Sequence, residues 1–295
     1  MLESLGHYKI LDHVGAGGIG EIYRARDTRL GRTVAIEILS PDVSRHAGRR
    51  ERFLQDARAS AALSHPNIAA LYEVGQEKDV TYLVCEFVPG EPLTTVVAGR
   101  SLNPRRAVDL AIQLADALAD AHGEGIVHRN LKSNTITVTP KDKTKILDFG
   151  LAAWTKRGGS TAQAPSGAHV PSEDADYRAD ILALGAILFE MLTGRLPSAA
   201  GTPAPPSSMN SSVPRELDPI ALKALTNNPD GRYESAATLA AELRSVAAIL
   251  DVRSGAIEPP TLAAARRRRQ SVAGWLIAAL ILAAVAVLVW LAARA

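Results

Sequence analysis

Two short runs hold most of the residues whose types suit chemistry at a phosphate. Gly15-Ala16-Gly17-Gly18-Ile19-Gly20, followed by Ile22, spaces its glycines as G-x-G-x-x-G, and His128-Arg129-Asn130 precedes an Asp148-Phe149-Gly150 turn. Glycines at this spacing can let backbone N–H groups approach a phosphate, and an Asp on a turn can hold a metal ion. A glycine run alone is a weak signal, because glycine turns often do no more than reverse a hairpin.

The elements that would have to position these runs are visible as patterns. Val34 to Leu39 and Thr81 to Phe87 are β-branched and aromatic runs bounded by Gly, Pro and polar residues, as strands are. Arg49 to Leu63 spaces apolar residues helically and stops before His65-Pro66-Asn67. Together they predict a small lobe of twisted antiparallel sheet with one helix. Pro104 to His122 and Ile181 to Thr193 repeat apolar residues at the helical period, and Pro219 to Leu225 and Ser235 to Leu250 add further helices. A larger, mainly helical lobe is expected. Between Leu196 and Arg215 the sequence PSAAGTPAPPSSMNSSVP is so rich in Pro, Ser and Gly that no helix of any length is expected there.

The motifs occur in an order that resembles the serine/threonine protein kinase family, from about His7 to Leu250. The glycine run matches the phosphate-covering loop, and Val34-Ala35-Ile36-Glu37 matches V-A-I-K except at its last residue. Leu83-Val84-Cys85-Glu86-Phe87-Val88-Pro89-Gly90 looks like the edge strand and hinge that hold adenine. Asp180-Ile181-Leu182-Ala183-Leu184-Gly185 resembles the start of the large buried helix, and Asn228-Pro229-Asp230-Gly231-Arg232-Tyr233 the late Arg motif. The resemblance implies an α+β, two-lobed protein-kinase-like fold, with a small lobe over about 7–88 and a large lobe over about 89–250. It also implies a nucleotide site at Val14, Gly15, Gly17, Gly20, Ile22, Ala35, Glu37, Glu86 and Val88, catalytic positions at Asn130 and Lys132, and a metal position at Asp148.

Within that resemblance, several substitutions strike the chemistry. The family signature H-R-D-L-x-x-x-N reads here with Asn130 at the Asp and Thr135 at the second Asn. Asn130 cannot accept a substrate hydroxyl proton, a function typically worth about 10²–10⁴ in rate. Glu37 replaces the Lys that holds phosphates, and Asp56 takes the place of its Glu partner on the small-lobe helix. An acid at about 4 Å from a phosphate costs on the order of 4 kcal/mol at an effective dielectric near 20. Thr135 removes the amide oxygen for a second Mg²⁺, and Thr137 puts a hydroxyl under the adenine position. His128 and Phe149 belong to the stack linking the lobes, and Asp180 to the bonds that brace the catalytic loop. Glu37, Asp56 and Asp148 are expected to converge where a Lys ammonium normally sits. One acid would then be protonated, the helix would swing out, or a divalent cation would take the ammonium's place. The A-P-E motif is missing before Asp180, leaving Glu173 as the candidate partner of Arg232. Arg129 would meet a phosphorylated loop or be solvated, and Thr155, Ser160 and Thr161 are candidate phosphosites or ordinary loop residues.

The chain has 295 residues, 47% of them hydrophobic, enough for two lobes and a membrane segment. A formal charge of +2 argues against a nucleic-acid surface. The single cysteine, Cys85, suits a reducing cytosol and falls at the hinge gatekeeper. No charged n-region and apolar run open the chain, so no signal peptide is expected. Ser271 to Ala293 is free of charge and long enough for a hydrocarbon core of roughly 30 Å, with Trp275 and Trp290 near its ends. Arg266-Arg267-Arg268-Arg269 lies just before it and only Arg294 after it, which places the N-terminal domain in the cytoplasm. The organisation expected is therefore a domain over 7–250, a basic juxtamembrane linker over 251–270, and a single-pass transmembrane helix over 271–293. The function expected is a membrane-tethered pseudokinase acting by binding or scaffolding protein partners, with ATP and Mg²⁺ held weakly or not at all. The alternative is an active or residually active ATP-dependent serine/threonine kinase with non-standard catalytic residues.

Overall fold

A computed structural model describes residues 3–40, 47–78, 80–151, 154, 177–198 and 203–253. The backbone divides into a unit over 1–246, which holds both lobes, and a unit over 247–295. The small lobe is built on a six-stranded antiparallel sheet of β1 (Ser4–Leu5), β2 (Tyr8–Ala16), β3 (Gly20–Asp27), β4 (Thr33–Leu39), β5 (Leu71–Glu77) and β6 (Val80–Glu86). Their spatial order is β1-β2-β3-β4-β6-β5. Helix α1 (Ala47–Ala61) lies between β4 and β5 in sequence, and its last turn tightens as Ala62 and Leu63 donate to the carbonyls of Ala59 and Ser60.

The period-two alternation of β4 sorts its side chains between two cores. Val34 and Ile36 join Leu5, Tyr8, Ala25, Tyr82 and Val84 in one cluster. Leu39 joins Ile19, Phe53, Ala57, Leu83 and Leu151 in the other, beneath α1. Ala35 and Glu37 share the face of Leu39. The register sets Ile22 opposite Glu37, Glu37 opposite Leu83, and Ala35 opposite Cys85. One correction follows for the segment Leu83 to Glu86. It ends β6, an interior strand bonded to β4 on one side and β5 on the other, not an edge strand. The unbroken burial of Thr81, Tyr82, Leu83 and Val84 is the pattern of a strand covered on both faces.

The large lobe opens with β7 (Glu91–Pro92) and α2 (Leu93–Val97), followed by α3 (Pro104–Gly123). Asn103 caps α3 by accepting from the N–H groups of Arg105 and Arg106, with Pro104 in the first turn. Its buried stripe of Ala107, Leu110, Ala111, Leu114, Leu118 and Ala121 packs on α4 (Tyr177–Thr193). Strands β8 (Ile136–Val138) and β9 (Thr144–Ile146) pair with β7 in a small second sheet, preceded by a 3₁₀ turn at Ser133–Thr135. In α4 the bare Gly185 admits α6 (Leu217–Ala224), since a Cβ there would lie 2.7 Å from that of Ala224. The Pro- and Ser-rich stretch holds one short helical turn, α5 (Pro206–Met209). It forms because Pro206 suits a first-turn position and Asp218 accepts from both the N–H and the hydroxyl of Ser207. Helix α7 (Ala236–Arg253) follows a 3₁₀ turn at Pro229–Gly231. Among the described residues no helix is long and apolar enough to cross a membrane. Ser271 to Ala293, Glu173, Thr155, Ser160 and Thr161 lie outside the described residues.

Candidate functional site

The catalytic-loop frame is assembled by one buried acid. Asp180, in the first turn of α4, accepts from the backbone N–H of His128 at 2.7 Å and of Arg129 at 2.8 Å. His122 Nε2 lies 3.0 Å from the same carboxylate, and because a carboxylate only accepts, that nitrogen carries the proton. These bonds hold Arg129 at φ +64°, a left-handed conformation costly outside glycine. His128 donates from Nε2 to the Leu147 carbonyl at 3.1 Å, while its Nδ1 accepts from Asn130 N–H. Burial keeps this imidazole below its usual pKa, so it stands neutral. The ring meets Phe149 edge-on at 5.0 Å. Phe149 is tied in turn to α1, because its carbonyl accepts from Ser60 Oγ at 2.7 Å.

At the positions that would carry chemistry, other bonds are made. Thr135 Oγ1 donates to the Lys132 carbonyl and accepts from the Lys132 N–H, so its hydroxyl is spent on the loop's own turn. The Asp148 carboxyl is held above its ordinary range by burial, opposed by the nearby Lys132 ammonium. The Asp148 backbone also takes a left-handed conformation, at φ +55°.

Glu37 is 6% exposed, and its Oε1 accepts from the backbone N–H groups of Ile19 and Gly20, both at 3.0 Å. The glycine loop closes over this atom. Gly17 N–H donates to the Gly20 carbonyl at 2.7 Å, and a Cβ on Gly17 would stand 2.4 Å from Glu37 Oε1. Of the other expected nucleotide-site residues on these strands, Val14 is exposed on β2, Gly15 and Ile22 are part-buried, and Gly20 is buried.

Asp56 on α1 accepts from Trp154 Nε1 at 2.7 Å, and the indole stands edge-on to Phe53 at 5.5 Å. The cation site expected at Glu37, Asp56 and Asp148 is therefore not found among the described residues, although Glu37 and Asp148 both lie near enough to Cys85 to act on its thiol. Among the described residues no group of three His, Cys, Asp or Glu side chains could hold a metal ion. The physical reason is that Glu37 and Asp56 each reach N–H donors elsewhere, which stabilise a carboxylate better than a third like charge does.

At the hinge, the Glu86 side chain pairs with Lys145 Nζ of β9 at 2.6 Å and accepts from Ala70 N–H at 3.2 Å. Val88 follows, part-buried. Cys85, opposite Ala35, has its thiol pushed far above the usual range by burial and by the Asp148 and Glu37 carboxylates. Arg232 is buried with its guanidinium donating to the carbonyls of Thr226, Arg178 and Asn227. A separate groove of about 310 Å³ runs between α1 and β5, lined by Arg50, Leu54, Arg58, Tyr72 and Glu73, and none of the motif residues borders it.

Sequence reasoning missed Trp154, Ser60 and Lys145. Only Trp154 carried a usable signal. Just beyond the Asp-Phe-Gly turn, a part-buried indole N–H seeks an acceptor. Of the groups that would meet a metal nucleotide, the Ile19 and Gly20 amides are engaged by Glu37, the Thr135 hydroxyl is turned into its own loop, and the Asp148 carboxylate is retained.

Comparison with known proteins agrees with this frame. Residues 8–241 match the model of the protein kinase domain. Serine/threonine-protein kinase PknB of Mycolicibacterium smegmatis is 35% identical over 263 residues, covering 80% of this chain and 42% of the relative. A probable serine/threonine-protein kinase of Streptomyces coelicolor is 34% identical, covering 78% of this chain and 38% of that protein. This chain thus spans about two-fifths of the length of these relatives. The crystal structure of the Mycobacterium tuberculosis PknI kinase domain superposes with a TM-score of 0.66 at 22% identity, covering 82% of this chain and 97% of that one. Its likeness is one of fold. Two lobes, a glycine loop, and a catalytic loop braced from the buried helix agree with the sequence matches, and the chain belongs to the protein kinase family with a serine/threonine kinase domain.

Proposed function

We propose that this chain is a pseudokinase, a membrane-tethered protein-kinase fold that acts by binding protein partners and does not transfer phosphate. The observation that carries this reading is a division within one site. The bonds that build the frame are complete at Asp180, His128 and Phe149. The positions that would touch phosphate, substrate hydroxyl and second metal carry Glu37, Asn130 and Thr135. Family members use ATP and Mg²⁺; here both are held weakly or not at all. The tether is Ser271–Ala293, with Arg266 to Arg269 on the cytoplasmic side, and nucleic acid is not a partner.

A second reading, an active kinase with non-standard residues, draws on two observations. Lys132 and Asp148 are both retained and face each other electrostatically, and the relatives bear the names of kinases. The test uses the full chain in detergent with labelled ATP and Mg²⁺ or Mn²⁺, alone and with a generic acceptor protein. No incorporation is expected. Metal-dependent incorporation that disappears in Asp148→Ala would establish the second reading instead.

A further inference from the structure

A loop of glycines in a cleft of this kind exposes backbone N–H groups that demand an anion or an acceptor. In this chain the demand is met from within. Glu37 Oε1 accepts from Ile19 and Gly20 N–H at 3.0 Å each, although Ile19 and Gly20 are buried and Glu37 itself is 6% exposed. The approach depends on the bare Gly17, whose Cβ would stand 2.4 Å from that oxygen. The register puts Glu37 between Ile22 and Leu83 on the inner face of the sheet, so the carboxylate reaches the loop along the cleft wall. A carboxylate oxygen taking two backbone N–H groups reproduces what one phosphate oxygen would take there.

We infer that the Glu37 carboxylate is a built-in substitute for a ligand phosphate, holding the glycine loop closed and making the cleft discriminate against phosphorylated ligands in favour of uncharged nucleosides. This rests on the pseudokinase reading and assigns that cleft a ligand class. A nucleotide must expel the carboxylate from its two donors or set a phosphate against it, and both oppose binding. An uncharged nucleoside asks for neither.

The test uses the full chain in detergent, with EDTA to exclude metal, and ATP and adenosine as probes. Amide exchange at Ile19 and Gly20 is followed first, without ligand. In Glu37→Ala it should speed up by about tenfold or more, while amides in α3 stay protected. ATP should then bind Glu37→Ala at least about tenfold more tightly than it binds the natural chain, with adenosine changed by no more than about twofold. Gly17→Ala, whose methyl group displaces the carboxylate without removing it and also presses on the Ile22 side chain, should show the same exchange and some of the same ATP gain. It serves as the second variant should Glu37→Ala fold poorly.

Unchanged exchange at Ile19 and Gly20 overturns the inference. So does an ATP gain no larger than the adenosine gain, including the case where neither probe binds either protein. Phosphotransfer by the natural chain is a separate outcome. It would end the pseudokinase reading, while exchange would still decide whether Glu37 holds the loop.

Discussion

Replacing Asp180 by Ala should loosen the catalytic loop and destabilise the whole domain by a calculable amount. The carboxylate is 1% exposed and takes N–H groups from His128 at 2.7 Å and Arg129 at 2.8 Å, as well as the His122 ring. Alanine offers no acceptor; the His128 N–H is buried, while the part-buried Arg129 N–H can reach water. A buried, unsatisfied donor costs about 1–3 kcal/mol, and the part-buried one adds less, so the loss is set mainly by His128 at about 1–3 kcal/mol. For a domain of this size each kcal/mol lowers Tm by about 2–4 °C, which gives a fall of about 2–12 °C. Asp180→Asn keeps one acceptor oxygen but sets an NH₂ against the other donor, and should lose about half as much. Thermal melts by circular dichroism supply the first readout, and amide exchange at His128 and Arg129 the second. Relief of the left-handed Arg129 backbone should also accompany the alanine change. A fall of less than about 2 °C in Asp180→Ala, with both amides still protected, would refute the claim that this acid braces the loop.

Three further outcomes are expected. Trp154→Phe keeps a ring against Phe53 but strands the Asp56 carboxylate without its indole donor; a loss of about 1 kcal/mol is expected, and a double-mutant cycle with Asp56→Ala in denaturant melts should show coupling of at least about 0.5 kcal/mol. Additive losses would show that the bond contributes nothing. Cys85, part-buried and with its thiol raised by burial and by two carboxylates, should react with maleimide more slowly in the folded protein than after unfolding; equal rates in native buffer and denaturant would contradict this. Deleting the residues after Gln270 should move the protein from the membrane pellet to the supernatant, and continued pelleting would show that the basic linker or another face suffices.

Much of the architecture was readable from local pattern, because strand and helix periods are properties of neighbouring residues. The alternation of β4 and the apolar stripes of α3 and α4 each predict their element within a few residues. Motif order supplied the family and the identity of the missing groups, since the absence of a Lys, an Asp and an Asn needs no coordinates. What sequence alone could not determine is where the substituted side chains turn. Three acids expected to share a cation form no metal site, and two of them are engaged by N–H donors that arrive from elsewhere. Glu37 found the amides of a loop on the neighbouring strand, and Asp56 found an indole 98 positions away in the chain. The interior place of β6 depends on β5 returning to its far side, and the single turn α5 depends on Asp218 from the following helix. A carboxylate's environment is the sum of donors and charges brought within a few ångströms by chain folding, and that sum is a property of the tertiary structure. Residue type states that an acid stands at position 37; only the folded sheet and loop decide that its carboxylate meets the N–H groups of Ile19 and Gly20.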